Sequence, residues 1–294
     1  MGILVDRHVR VVIHGPATNL ALRLAGLMRE ARMDVVGFVL PEPGDAGDFP
    51  RFGTLGDAVA TGQIDAALVM VAGPELKPVV LEAVEVGVRL LVVMSEDVPL
   101  HDLMVIRHCA REAGIWIVGP GSSGIATVGE ARIGLIPTES LIPGPVGLLA
   151  RSGTLIMVAA ELLTRAGIGV SSCVSVGGEA IAGRNLGEYL ELFERDPATG
   201  AVVLLGEVGG GQEEEAAEAV ARMGKPVVAY VAGRHAPGGR RLGHAGAFIE
   251  GERGSADGKR AALAAAGAEV VDFLWEIPER MKALSHSYFD KPSA

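Results

Sequence analysis

Short apolar segments alternate with longer amphipathic segments along this chain, and this alternation constrains the fold more than any other feature. Five segments rich in Val and Ile predict buried strands at residues 9–14, 35–40, 66–72, 90–94 and 115–118. Helical patterns lie between them at 19–31, 76–86 and 102–113. Strands separated by helices of this length form a parallel sheet with right-handed crossovers. The first part of the chain therefore predicts a doubly wound α/β domain.

A proline-rich segment, LIPTESLIPGP at 135–145, interrupts the alternation, and its three prolines argue against a regular element there. The alternation then begins again. It predicts strands at 146–150, 170–176, 201–205 and 227–231, and helices at 154–166, 186–194, 212–223 and 256–266. A chain of 294 residues is longer than one hydrophobic core usually serves. We therefore expect two α/β domains, at 1–140 and 146–294, joined by this linker.

Composition narrows the classes of partner. The formal net charge of -10 argues against a surface for nucleic acid or anionic membrane, which would need clustered Lys and Arg. The two cysteines, Cys109 and Cys173, are too few for a disulfide framework and lack metal-site spacing, so we expect a cytoplasmic protein with no metal site. The N-terminus has no signal-peptide pattern, and no apolar segment is long enough for a transmembrane helix.

Small and polar residues follow the predicted strands of the second domain, where open α/β sheets bind ligands. The helix start in "ARSGTL" offers free N–H groups and a positive dipole end to an anion, although Ser and Thr are also ordinary N-caps. A glycine pair follows the next strand in "VGGEAIAG", and a carboxylate follows the one after it in "LLGEVGG". A histidine lies in the loop "GHAGA". The candidate residues are Ser152, Gly153, Thr154, Glu207 and His244.

These groups together suit phosphoryl transfer. A neutral imidazole has one nucleophilic nitrogen, and a carboxylate that accepts the N–H of the other fixes the tautomer. Glu207 is the candidate orienting carboxylate and His244 the candidate nucleophile, while the helix start at Ser152 would hold the phosphoryl group. Taken singly, Glu207 and His244 could each be solvated surface groups. We interpret the acidic run at 213–215 as a solvated first helical turn, favoured by the helix dipole.

The segments "GPVGLLARSGTL", "VGGEAIAG", "LLGEVGG", "PVVAYVAGRHAPGGRRLGHAGAF" and "GSADGK" resemble the α-subunit of succinate–CoA ligase and its relatives. Those relatives include malate–CoA ligase, citryl-CoA synthetase and part of ATP-citrate lyase. The resemblance extends in order over nearly the whole chain. It implies a Rossmann-like CoA-binding domain followed by a flavodoxin-like ligase domain, and an acyl-CoA formed through a phosphohistidine and an acyl phosphate.

The resemblance also implies roles for individual residues. His244 would be the phosphohistidine and Glu207 its hydrogen-bonding carboxylate. An ATP-grasp β-subunit would bind ATP or GTP with Mg²⁺, in an αβ or α2β2 assembly, because this chain contains no ATP-grasp pattern. A small di- or tricarboxylic acid would be the substrate. The residues implied for coenzyme A are Gly15, Thr18, Asn19, Pro41, Ala72, Glu96 and Pro120.

The loops implied for coenzyme A differ from the family pattern. Where the family has a glycine-rich turn after the first strand, this chain has "HGPATNLALR". Where the family has a Pro-Gly-Lys-Gly-Gly loop, it has "PEPGDAGD". Pro43 falls near the lysine position, with Glu42, Asp45 and Asp48 around it. Bringing a polyphosphate towards three carboxylates is unfavourable unless Arg23, Arg51 or the partner compensates. "GPGSSG" likewise has Gly and Ser where relatives have Asn and Cys.

Two further hypotheses remain open beside the acid–thiol ligase. One is a ligase that keeps the phosphohistidine but passes the acyl group to an amine or another non-CoA acceptor. The other is a non-catalytic subunit that binds CoA or a nucleotide and regulates a partner. The presence of both His244 and Glu207 argues against a regulatory subunit, which would need neither.

Overall fold

A computed structural model of the chain describes residues 2–40, 44–236, 243–248 and 254–288. Two sheets organise these residues. The first sheet has six parallel strands in the order β3-β2-β1-β4-β5-β6, the order of a Rossmann fold. Its strands are β1 (Arg10–His14), β2 (Asp34–Val39), β3 (Arg51–Phe52), β4 (Ala66–Val69), β5 (Leu90–Val93) and β6 (Trp116–Val118). Its helices are α1 (Asn19–Glu30), α2 (Leu55–Ala60), α3 (Leu76–Val86) and α4 (Leu100–Glu112).

The second sheet has seven strands in the order β13-β12-β11-β9-β10-β7-β8. They are β7 (Gly124–Thr127), β8 (Ala131–Gly134), β9 (Pro143–Ala150), β10 (Val170–Ser175), β11 (Ala201–Glu207), β12 (Val227–Ala232) and β13 (Glu269–Val270). The sheet is mixed, because β7 pairs antiparallel with both β10 and β8. The helices are α5 (Gly153–Arg165), α6 (Leu186–Arg195), α7 (Gln212–Arg222), α8 (Ala256–Ala265) and α9 (Ile277–Tyr288).

Helices cover both faces of the first sheet, so successive strand residues enter different cores. Val12 of β1 packs in one apolar cluster, whereas Val11 and Ile13 pack in the other. The second of these clusters also contains Leu149 and Val174 of the second sheet. A continuous apolar core therefore joins the two sheets. None of the helices in the described part of the chain is both long and apolar enough to span a membrane.

The structure confirms the predicted α/β class with two sheets, the first of them Rossmann-like. The prediction of an irregular segment up to residue 145 is wrong at its end, because β9 begins at Pro143. Proline is tolerated at a strand start, where its missing N–H interrupts few ladder hydrogen bonds. The limits 1–140 and 146–294 remain a prediction. Strands β7 and β8 precede the prolines in sequence yet pair within the second sheet.

Candidate active site

Glu207 and His244 are in direct contact. Glu207 is the last residue of β11, and its side chain is 13% exposed. The Nδ1 atom of His244 lies 2.7 Å from Oε1 of Glu207. A carboxylate accepts a hydrogen bond, so Nδ1 carries the proton in the neutral ring and Nε2 keeps its lone pair. The pair therefore presents a nucleophilic nitrogen from a ring that is 36% exposed.

Glycine backbones hold the histidine loop against the sheet. An ideal Cβ on Gly178 would lie 2.3 Å from Cγ of His244, so the imidazole packs directly on this backbone. The N–H of Gly246 donates to the carbonyl of Gly178 at 2.9 Å. Gly209, after β11, has a φ of +87°, and a Cβ there would meet Ala247 and Phe248. The glycines after β10 and β11 thus allow the close approach that places His244.

Buried charged side chains lie beneath Glu207. Arg151 is 1% exposed; its Nε is 3.5 Å from Oε1 of Glu207, and its guanidinium donates to the carbonyl of Gly209 at 2.8 Å. Glu213 accepts the N–H of Glu207 at 3.1 Å. The ammonium of Lys259 is ion-paired with Glu213 and donates to the carbonyls of Glu207 and Gly209, each at 2.7 Å. We call Arg151, Glu207, Glu213 and Lys259 the charge cluster.

The charge cluster corrects the interpretation of the acidic run at 213–215 as solvated. Glu213 begins the helical turn as expected, but its side chain is fully buried. Only one residue of three consecutive ones can face the sheet, and here it is the first. The ion pair with Lys259, together with the hydrogen bond from Glu207, offsets the desolvation of this carboxylate.

These contacts shift the ionisation of both site residues. The hydrogen bond that His244 donates to Glu207 raises the pKa of His244 above 6.5, against the opposing effects of burial and of Arg151. Burial alone would raise the pKa of Glu207, but the bond from His244 and the charges of Arg151 and Lys259 outweigh it and lower that pKa. The carboxylate is therefore ionised whenever the imidazole needs an acceptor.

Ser152 caps the helix that follows β9. Its hydroxyl accepts the N–H of Leu155 at 3.5 Å, and the first turn of α5 carries no acidic residue. A Cβ on Gly153 would overlap the hydroxyl of Ser123, so glycine is required here, whereas Thr154 is exposed. The connection to His244 runs through Arg151, whose carbonyl accepts the N–H of Gly177, the neighbour of Gly178. The electropositive start of α5 thus directly follows Arg151, whose carbonyl binds the glycine segment on which His244 packs.

The residues implied for coenzyme A fall in two places. Gly15 and Thr18 line a cavity of about 840 Å³ at the first sheet. Asn19, which begins α1, and Ala72, which precedes a 3-10 turn, are both exposed. Glu96 lies instead towards the second sheet, where its charge contributes to raising the pKa of His244. Pro120 is also there, with its carbonyl against Gly177. Pro41 lies outside the described residues.

Sequence reasoning missed four charged residues: Arg151, Glu179, Glu213 and Lys259. Glu179 is buried and accepts the N–H of Asp97, from the loop after β5, at 2.7 Å. Burial, with Asp97 and Glu96 nearby, raises the pKa of this carboxyl. A signal existed for Lys259, because it shares a helix face with the buried Ala256 and Leu263. A charged residue on an otherwise apolar helix face indicates a buried partner.

Comparison with known proteins extends these observations to the whole chain. Residues 149–269 match the family described as CoA-ligase. The chain is 39% identical over 284 residues to succinate–CoA ligase [ADP-forming] subunit alpha 1 of Archaeoglobus fulgidus, which covers 96% of this chain and 98% of that protein. A subunit of ADP-forming sulfoacetate–CoA ligase from Bilophila wadsworthia is 36% identical, over 97% of this chain and 99% of the relative.

A solved structure supports the same relationship. ATP citrate lyase from Methanothrix soehngenii has a TM-score of 0.86 and 25% identity, over 99% of this chain and 53% of that chain. The present chain thus spans about half the length of that protein, while it matches the succinate–CoA ligase subunit nearly from end to end. The chain therefore belongs to the succinate–CoA ligase α-subunit family that the resemblance indicated, and these relatives are ADP-forming acid–thiol ligases.

Proposed function

We propose that this chain is the phosphoryl-carrying subunit of its ligase and that His244 is the phosphorylated residue. The observation that carries this proposal is the 2.7 Å contact between Nδ1 of His244 and Glu207. It leaves Nε2 as the nucleophile and provides an anion to stabilise the imidazolium that forms during attack. Ser152, Gly153 and Thr154 supply the helix end that holds the phosphoryl group.

The reaction then has three transfers. Nε2 of His244 attacks the γ-phosphorus of ATP, and the bond to the bridging oxygen breaks to release ADP. A carboxylate oxygen of the acid attacks the same phosphorus, which frees His244 and yields an acyl phosphate. The thiol of coenzyme A, once it has lost its proton, attacks the acyl carbon, and inorganic phosphate leaves. The protein supplies positioning and electrostatic stabilisation to the first two transfers.

We further propose that the two sheets divide these tasks within the predicted limits. The first domain, 1–140, would hold the acyl acceptor, and the second, 146–294, would carry the phosphoryl group. A β-subunit of ATP-grasp type would bind the nucleotide. The relatives' subunit names support such a partner, and their ADP-forming activity favours ATP over GTP.

The acid is proposed as a small carboxylate that bears a second anionic group. Succinate has a second carboxylate and sulfoacetate has a sulfonate, and the relatives named for them are similarly close to this chain, at 39% and 36% identity. Identity alone therefore does not choose between them. The shared chemistry supports the class rather than one member of it.

Labelling tests the phosphohistidine directly. The complex of this chain with its partner is incubated with γ-labelled ATP and Mg²⁺ without acid or thiol, and we expect acid-labile, base-stable phosphate on this chain. His244→Asn should remove the label and lower turnover by at least about a thousandfold, because the nucleophile is lost. His235→Asn, at an exposed histidine after β12, is the matched control and should label normally. Label that persists in His244→Asn would contradict the proposal.

A further inference from the structure

The cavity of about 840 Å³ lies where the first sheet should bind a nucleotide. Its walls include residues that follow β1, β2, β3 and β4, at the carboxyl ends of the strands. In the strand order of this sheet, β1 and β4 flank the point where the winding reverses, and open α/β sheets bind ligands in that crevice. The volume suits a nucleotide.

The start of α1 fits the diphosphate of such a ligand. Gly15 has a φ of +138°, and a Cβ there would lie 2.8 Å from the carbonyl of Met70, so this turn requires glycine. Thr18 caps the helix by accepting the N–H of Ala21 at 3.2 Å, and the first turn of α1 carries no acidic residue. Free N–H groups and a positive dipole end therefore face the crevice.

A buried histidine supplies a second, independent indication of a ligand. His14 ends β1, is 3% exposed and lines the cavity, yet its Nδ1 has no hydrogen-bond partner. A buried ring nitrogen without a partner is unfavourable unless a ligand completes it. Burial lowers the pKa of His14, with Glu82 opposing that effect. The imidazole is therefore neutral near pH 7 and gives a phosphate no positive charge.

The opening of the cavity is acidic. Asp45, Glu75 and Glu82 line it, and no Lys or Arg lines it within the described part of the chain. Glu82 accepts the N–H groups of Leu55 and Gly56, whereas Asp45 accepts the N–H of Gly47 through Oδ1 and is exposed.

The position of Asp45 distinguishes between two kinds of ribose. In nucleotide-binding sheets of this order, a carboxylate beyond the second strand accepts hydrogen bonds from ribose hydroxyls, whereas arginine accommodates a ribose phosphate. Asp45 follows β2, and Arg23 and Arg51 are exposed and do not line the cavity. Ribose hydroxyls could therefore donate hydrogen bonds to Asp45 at this edge of the cavity, whereas a phosphate on the ribose would lie close to carboxylates.

We propose that this cavity binds a nucleotide whose ribose carries no phosphate, so that the acyl acceptor of this chain is dephospho-coenzyme A in preference to coenzyme A. The two thiols differ only in the 3′-phosphate of the ribose. The role as acyl acceptor rests on the proposed function, whereas the preference rests on the cavity alone.

Titration calorimetry with the full chain in complex with its partner tests this preference, with dephospho-coenzyme A and coenzyme A as the two probes. Dephospho-coenzyme A should bind at least about tenfold tighter, as expected for a phosphate placed near uncompensated carboxylates. Asp45→Lys should shift the ratio towards coenzyme A by about tenfold or more. Asp48→Lys makes the same charge change at an exposed residue that does not line the cavity, and should leave the ratio nearly unchanged.

The outcomes separate this inference from the proposed function. Equal or tighter binding of coenzyme A, no binding of either thiol, or equal shifts from Asp45→Lys and Asp48→Lys would each overturn the inference. A complex that labels at His244 and prefers coenzyme A overturns only the inference. One that prefers dephospho-coenzyme A but takes no label overturns only the proposed function.

Discussion

Around His244 the charged side chains are buried and bind one another, whereas two of the three acidic side chains that line the cavity at the first sheet are exposed. Glu213 and Lys259 are fully buried and fix the end of β11. Asp45 and Glu75, in contrast, are exposed. A transfer step requires atoms held to within fractions of an ångström, which paired buried charges provide. Ligand selection requires only complementary shape and charge. Substitutions at the cavity edge can therefore change which ligand binds without disturbing the proposed transfer step at His244.

The largest difference between the two regions should appear on removing a buried charge. Lys259→Met leaves the buried Glu213 with only the more distant Arg151 as a counter-ion, at 3.8 Å, and should reduce the free energy of unfolding by about 3 kcal/mol. Lys77→Met, in α3 beside the first sheet, removes a cation that pairs with Asp102 and is 36% exposed. This variant should lower the free energy of unfolding by at most about 1 kcal/mol. Urea unfolding of the full chain measures both.

A double variant separates lost charge pairing from lost packing. Lys259→Met combined with Glu213→Leu removes both buried charges and should recover much of the stability lost in Lys259→Met alone. If the double variant is as unstable as the two single losses added together, the ion pair is not the reason for the buried position of these residues.

Glu207→Gln should affect chemistry more than stability. Phosphorylation of His244 should slow by roughly tenfold to a hundredfold, because the neutral amide stabilises the imidazolium less. His244 must be neutral to attack, so labelling rises as pH rises through its pKa, which Glu207 holds above 6.5. In Glu207→Gln that rise should therefore move to lower pH. Glu161→Gln, at an exposed carboxylate of α5, should keep the original profile.

Gly178→Ala should disturb the histidine by sterics alone. The added methyl would lie 2.3 Å from Cγ of His244, so the ring must move away from Glu207. We expect about a tenfold slower labelling, since small displacements weaken transfer strongly. Gly187→Ala in α6 meets its nearest atom at 3.4 Å and should label at the normal rate. Equal rates for both variants would mean that the ring position tolerates displacement.

The smallest effect is expected in α1, beside the cavity. Gly26 has nothing within 4 Å of an ideal Cβ, so Gly26→Ala should raise the free energy of unfolding by about 0.5–1 kcal/mol through helix propensity. Gly87 also has open space, but its φ is +79°, so Gly87→Ala should be destabilising. Thermal unfolding of both variants checks the signs, and labelling of His244 should be unaffected in each.

The sequence predicted those features that follow from periodicity and from strand ends. The predicted strands and helices of both sheets are present with small shifts at their ends, because buried Val and Ile runs leave little choice of structure. Glu207 and His244 meet because consecutive parallel strands end at one rim. Six of the strands and α-helices were not predicted: β3, α2, β7, β8, β13 and α9. Of these, β3 and β13 have two residues each, too few to show a period.

The sequence could not predict that Glu213 is buried or that Lys259 is its partner. Glu213 is one of three adjacent glutamates, and helical periodicity does not say which of them faces the sheet until the position of α7 is known. Its partner Lys259 is 46 residues away in the chain, so no local pattern links the two. Long-range pairing of this kind depends on the packing of α7 and α8 on the sheet, which is a tertiary property.

The charge cluster has a consequence for the phosphorylated form. Its two carboxylates and two cations cancel, so the charge cluster itself carries no net charge. A phosphoryl group on Nε2 adds a charge of about -1.5 to -2 that these already paired side chains cannot neutralise. Under the proposed function the phosphorylated loop would be an anion beside a neutral cluster, and its counter-charge would come from the helix end at Ser152 and from the proposed partner subunit. Phosphorylation and transfer would then change the charge of this surface once in every turnover.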